Sequence, residues 1–98
     1  MPIFISLLNW TDQGIRAYET TIERSEAFTS TLEGLGARLV ALYWTEGPYD
    51  LVSVIEAPDD KTAVAAMLRT AELGNVRSTT FRAFDREEIA EVIAKATG

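Results

Sequence analysis

Two apolar runs, Leu39 to Trp44 and Leu51 to Ile55, are separated only by a short polar stretch containing Gly47-Pro48-Tyr49-Asp50. So short a connection constrains the fold more than any other feature. It is too short for a crossover helix, so the two runs pair antiparallel as a hairpin, with Gly47 and Pro48 setting the turn. Everything else in the chain is built around that hairpin.

A strand signal alternates with a helix signal on both sides of it. Residues 3–9 (Ile-Phe-Ile-Ser-Leu-Leu-Asn) are a short apolar run, the mark of a buried strand. A helix follows, with Thr11 or Asp12 as its N-cap. Its apolar positions fall in two stripes out of phase: Ile15, Tyr18 and Ile22, then Phe28, Leu32 and Leu35. The slip near Thr20-Thr21 predicts a kink or break. Gly34 and Gly36 end the helix, with Gly36 as the left-handed cap. Strands are expected over residues 37–46 and 49–57. Asp59 then caps a helix reaching about Leu73, with Val64, Met67, Leu68 and Ala71 on its inner face. A fourth strand covers 75–84. Asp85 and Glu88 form a capping box for a last helix with the stripe Ile89, Val92, Ile93 and Ala96.

The order is βαββαβ plus a C-terminal helix. Right-handed crossovers turn it into one α+β ferredoxin-like domain over residues 1–98, with a four-stranded antiparallel sheet in the order 4-1-3-2. Strands 1 and 3 are then central, and they are also the most apolar. Both crossover helices cover one face of such a sheet. On a monomer the other face should be polar. Instead Ile3, Ile5 and Leu7 oppose Phe4 and Leu8. Leu39, Ala41 and Tyr43 oppose Val40, Leu42 and Trp44, and Leu51 and Ile55 oppose Val52 and Val54. Both faces call for burial, which predicts a homodimer or higher homo-oligomer packed sheet to sheet. The competing expectation folds the last helix over the chain's own free face.

Composition narrows the chemistry. No cysteine is present, so there is no disulfide, thiolate nucleophile or Cys-based metal site, and the lack of histidine removes the usual metal ligand and general base. No metal and no cofactor are expected. With a net charge of -6 and nine scattered cations, no nucleic-acid partner and no anionic membrane partner are expected. No apolar run reaches the roughly 20 residues that span a bilayer. The N-terminus reads as a strand, so a cytoplasmic location is the default expectation.

Four ordered segments resemble the GYD-domain family: Ser6 to Gly14, Tyr43 to Val52, Glu56 to Asp60 and Gly74 to Phe84. Gly47-Pro48-Tyr49-Asp50 is similar to the Gly-x-Tyr-Asp element that names it. The resemblance covers nearly the whole chain and departs mainly in the first helix, at Glu19-Thr20-Thr21. It implies a ferredoxin-like fold of the dimeric α/β-barrel type and no particular activity.

The candidate ligand-binding residues are Asn9, Trp10, Trp44, Tyr49, Arg77 and Arg82, and the catalytic candidates are Asp50 and Tyr49. A desolvated Asp50 would be a general base. The duller reading makes Asp50 an acceptor for turn amides and Tyr49 a packing residue. Trp10 reads either as a lid on the core or, with Asn9, as the floor of a cavity between the first helix and the sheet. Arg77 and Arg82 either protect an edge strand or receive an anion. The expected strand directions run strands 1 and 3 one way and strands 2 and 4 the other. That places Asn9, Trp10, Arg38, Glu56 and Arg77 at one end, and Trp44, Tyr49, Asp50, Arg82 and Phe84 at the opposite end. The residues point to a homodimeric small-molecule-binding or assembly protein. The alternative is a cofactor-independent enzyme, monooxygenase-like or isomerase-like, acting on a small aromatic or carbonyl compound.

Overall fold

The computed structural model describes residues 1–98. Its elements follow the expected order: β1 (Ile3–Trp10), α1 (Asp12–Arg16), a 3-10 turn (Tyr18–Thr20), α2 (Thr21–Gly34), β2 (Arg38–Trp44), β3 (Leu51–Glu56), α3 (Asp60–Glu72), β4 (Val76–Ala83) and α4 (Arg86–Thr97). The sheet order is β2-β3-β1-β4 with every pair antiparallel, which is 4-1-3-2 read from the other edge.

Local chemistry sets the boundaries. Thr11 is the N-cap of α1, accepting from the Gly14 amide. The phase slip becomes a real break, where the 3-10 turn separates α1 from α2. Gly36 takes a positive φ of 80° after α2, where a side chain would be strained. Asp59 accepts from the Thr62 amide to start α3, and Asp85 with Glu88 forms the capping box of α4.

The core lies between the sheet and the α2–α3 layer. Phe4 of β1 and Ile55 of β3 meet Leu32 of α2 and Ala63, Ala66 and Met67 of α3, with Phe28 and Leu35 packed against them. The inner face of α3 is therefore rotated from the expected one. Alanines let the helix approach the sheet closely, while Val64 and Leu68 turn outward and are exposed. The first of the two α1–α2 stripes is also exposed at Ile15, Tyr18 and Ile22.

The alternate residues of the strands, Ile3, Ile5, Leu7, Val52 and Val54, point to the opposite face and are only half-buried. Tyr43 and Phe81 extend this face to the outer strands, at 64% and 45% exposure. α4 does not fold over its own sheet. It buries none of its residues, and Ile89, Val92 and Ile93 stand exposed on a molecule measuring 52 × 31 × 18 Å.

The expected strand directions are corrected. β1 is antiparallel to β3, and so runs parallel to β2. The cause is the split βαβ unit: a crossover returns parallel to its first strand, and β3 is inserted between the two.

Candidate functional site

The corrected directions redraw the ends of the sheet. The C-terminal ends of β1 and β2 and the N-terminal ends of β3 and β4 lie together. Asn9, Trp10, Trp44, Tyr49, Asp50 and Arg77 therefore gather at one end within a single chain. Arg38, Glu56, Arg82 and Phe84 lie at the other. The expected split of Trp10 from Trp44 and Asp50 rested on the wrong strand directions.

At the first end, hydrogen bonds tie the segments into a frame. The Asp50 carboxylate accepts from the Trp10 amide at 2.9 Å, and the Asp50 amide donates to the Leu8 carbonyl at 2.9 Å. Thr45 closes the β2–β3 connection, its amide donating to the Asp50 carbonyl and its hydroxyl to the Tyr49 carbonyl. Asp50 is thus a structural acceptor that fixes the hairpin against β1. Trp44 Nε1 donates to Thr21 Oγ1 at 2.9 Å, pinning the first residue of α2. α1 is docked on the α3–β4 turn: the Thr11 amide donates to the Asn75 carbonyl, and Gln13 Nε2 bonds the Leu73 carbonyl and Asn75 Oδ1. Gly14 permits this approach, because a Cβ there would lie 2.0 Å from the Asn75 oxygen.

This frame surrounds a cavity of about 110 Å³ between α2, α3 and the sheet. Leu8, Phe28, Leu42, Leu51 and Val76 contribute apolar wall, and Trp10 and Asn75 close it toward the α1 end. The polar groups on it are Ser53, Arg24, Arg69 and several hydroxyls, with no carboxylate among them. Ser53 is 1% exposed. Across the sheet its register partner Ser6 is satisfied by Thr80 Oγ1 at 2.6 Å, whereas the Ser53 hydroxyl has no protein partner. An unpaired buried hydroxyl costs about 1–3 kcal/mol. Arg24 Nη2 donates to the Gly14 carbonyl at 3.2 Å, and its Nη1 is buried without a partner. The chain's ion pairs lie elsewhere, Arg38 with Glu56 at 2.9 Å and Arg82 with Glu88 at 2.7 Å.

Of the residues expected to bind a ligand, Trp10 alone lies on this wall; Trp44 supports it through Thr21. Asn9 is exposed, and Tyr49 and Asp50 are half-buried in the frame. Arg77 and Arg82 line a separate, more open concavity of about 640 Å³ between α3 and β4. There Arg82 also pairs with Glu88 and lies 4.5 Å from the Phe84 ring centre, which ties α4 to the sheet. Glu88 is held below the ordinary glutamate range, first by the Arg82 hydrogen bond and next by the Asp85 amide. No group of acidic, cysteine or histidine side chains is arranged to hold a metal ion.

Sequence reading missed Ser53, Arg24 and Arg69. Ser53 carried a signal, as a polar residue alone on the inward face of Leu51-Val52-Ser53-Val54-Ile55. The two arginines carried none, because a helix surface displays many such residues.

These features define an α+β domain of ferredoxin-like topology with a small, partly open cavity beside the sheet. The crystal structure of TTHA0845 from Thermus thermophilus shares the fold: TM-score 0.56 and 22% identity, covering 87% of this chain and 95% of that one. The GYD domain model matches residues 4–93, and the chain belongs to that family. It is similar, at 40% identity over 96 residues, to the glutamine synthetase and cystathionine beta-lyase binding protein of Thermus thermophilus. That match covers 97% of this chain and 98% of the relative. No helix is long and apolar enough to cross a membrane.

Proposed function

We propose that this chain is a homodimeric binding module that docks on an enzyme of amino-acid metabolism and holds a small effector in its helix–sheet cavity. The uncovered apolar sheet face carries the reading. Four strands about 4.8 Å apart and roughly 20–25 Å long present roughly 400–500 Å². α4 is about 18 Å long and offers a further apolar stripe. Together they approach the roughly 800 Å² that each partner contributes to a standard interface. A second copy related by a two-fold axis covers both features at once.

The relative's name, a binding protein for glutamine synthetase and cystathionine beta-lyase, supports docking on an enzyme. The enzyme reading gains no such support, since Asp50 is engaged by the Trp10 amide and neither it nor Tyr49 reaches the cavity. The test is to mix the purified protein with the glutamine synthetase of its own host on a size-exclusion column. Co-elution is expected, and its loss in Val54→Asp would tie docking to the dimer. Separate elution at tens of micromolar from both glutamine synthetase and cystathionine beta-lyase would refute the docking role.

A further inference from the structure

We infer that the α2–α3 cavity is a site for a small monocarboxylate whose apolar body is no larger than a phenyl ring or a branched four-carbon chain. The inference rests on the cavity being a ligand site and names the chemistry of that ligand.

Size comes first. A dry apolar cavity of about 150 Å³ accommodates benzene, and this one measures about 110 Å³. Because this cavity is partly open, a compact hydrocarbon body of that size fits with part of it at the mouth. The walls of Leu8, Phe28, Leu42 and Leu51 suit such a body and offer little to a fully hydrated ion.

Charge comes second. The chain carries 15 acidic and nine basic residues, yet the cavity gathers Arg24 and Arg69 with no acid. Neither arginine is in an ion pair. Arg24 points a buried, unpartnered Nη1 while Nη2 is held on the Gly14 carbonyl, so the guanidinium is already oriented. A planar carboxylate matches that fork. The Ser53 hydroxyl, buried on the sheet side without a partner, supplies a second donor for an oxygen of the ligand. These two groups are the unsatisfied buried side-chain polar atoms of the molecule, and both belong to residues that line this cavity.

The experiment uses isothermal titration calorimetry on the full chain, with Trp10 fluorescence as a second readout. Benzoate and isovalerate are the probes. Benzamide, benzylamine and inorganic phosphate are the comparisons. Benzoate and isovalerate should bind at least tenfold tighter than all three. Arg24→Gln should weaken benzoate at least tenfold and leave benzamide unchanged, and Arg24→Lys should retain part of the affinity. Ser53→Ala should weaken benzoate about threefold or more. Arg82→Gln, at the other end of the sheet, should change it less than twofold. Far-UV circular dichroism of each variant confirms folding before titration.

Benzamide or benzylamine binding as well as benzoate would overturn the carboxylate assignment while leaving the cavity a ligand site. Phosphate matching benzoate would overturn the role of the apolar body. Equal losses in Arg24→Gln and Arg82→Gln would show only diffuse charge attraction and overturn the site. No binding by any probe at millimolar concentration would overturn both this inference and the effector role of the cavity.

Discussion

Gly14 allows the construction of the cavity to be tested with one methyl group. A Cβ at this position would sit 2.0 Å from the Asn75 carbonyl oxygen, against a comfortable separation of about 3.5 Å. α1 and the Gly74–Asn75 turn must then part by about 1.5 Å. That motion breaks the Thr11 amide bond to Asn75 O at 3.1 Å, the Thr11 hydroxyl bond to Gly74 O at 2.5 Å and the Gln13 bond to Leu73 O at 2.9 Å. At about 1 kcal/mol net for each, the loss is about 3 kcal/mol. Alanine's higher helix propensity returns about 1 kcal/mol. Gly14→Ala should therefore destabilise by about 2 kcal/mol, or roughly 8–16 °C in Tm for a domain of this size. Gly34→Ala is the control. It lies in α2 with nothing within 4 Å of the added carbon and should be neutral or stabilising by up to about 1 kcal/mol. Urea unfolding followed by far-UV circular dichroism measures both, at one fixed protein concentration because association shifts apparent stability. Benzoate binding should weaken in Gly14→Ala as well, since Arg24 is oriented by the Gly14 carbonyl. A Gly14→Ala protein within about 0.5 kcal/mol of wild type would refute the close docking of α1.

Asp50→Asn keeps an acceptor for the Trp10 amide and should be nearly as stable as wild type, whereas Asp50→Ala should lose about 1–2 kcal/mol and speed exchange of that amide. Equal behaviour of the two would refute the structural role of Asp50. Glu88 is depressed by Arg82 and the Asp85 amide, so its support of α4 is complete above the ordinary glutamate value of about 4.3. It fades as pH falls through the lower folded value. Amide exchange over residues 86–89 should show that acid-side loss, and Glu88→Gln should abolish the pH dependence.

The hairpin around Gly47-Pro48 and the caps at Asp59 and Asp85 were legible because each depends on a few adjacent residues. The break at Thr20-Thr21 was legible as a phase slip in one helix. The inner face of α3 was not, because periodicity ranks residues by hydrophobicity. Close packing on the sheet instead selected Ala63 and Ala66 over Val64 and Leu68. A cavity between the first helix and the sheet beside Trp10 was expected, but its arginine and serine lining was hidden for a similar reason. It depends on where α2 lies on the sheet, which brings Arg24 to Ser53 from 29 residues away in the chain. The grouping of Trp10 with Trp44 and Asp50 required the correct strand directions, and those follow from topology alone.

Sedimentation equilibrium decides whether a second copy covers the exposed face of Ile5, Leu7, Val52 and Val54 and the bare stripe of α4, as the proposed function has it. The wild-type protein should sediment at twice 10.8 kDa or a higher multiple, and Val54→Asp should shift it toward the single-chain mass while folded. A wild-type mass of 10.8 kDa at every concentration up to about 100 µM, a range in which an interface of standard size is populated, would contradict it.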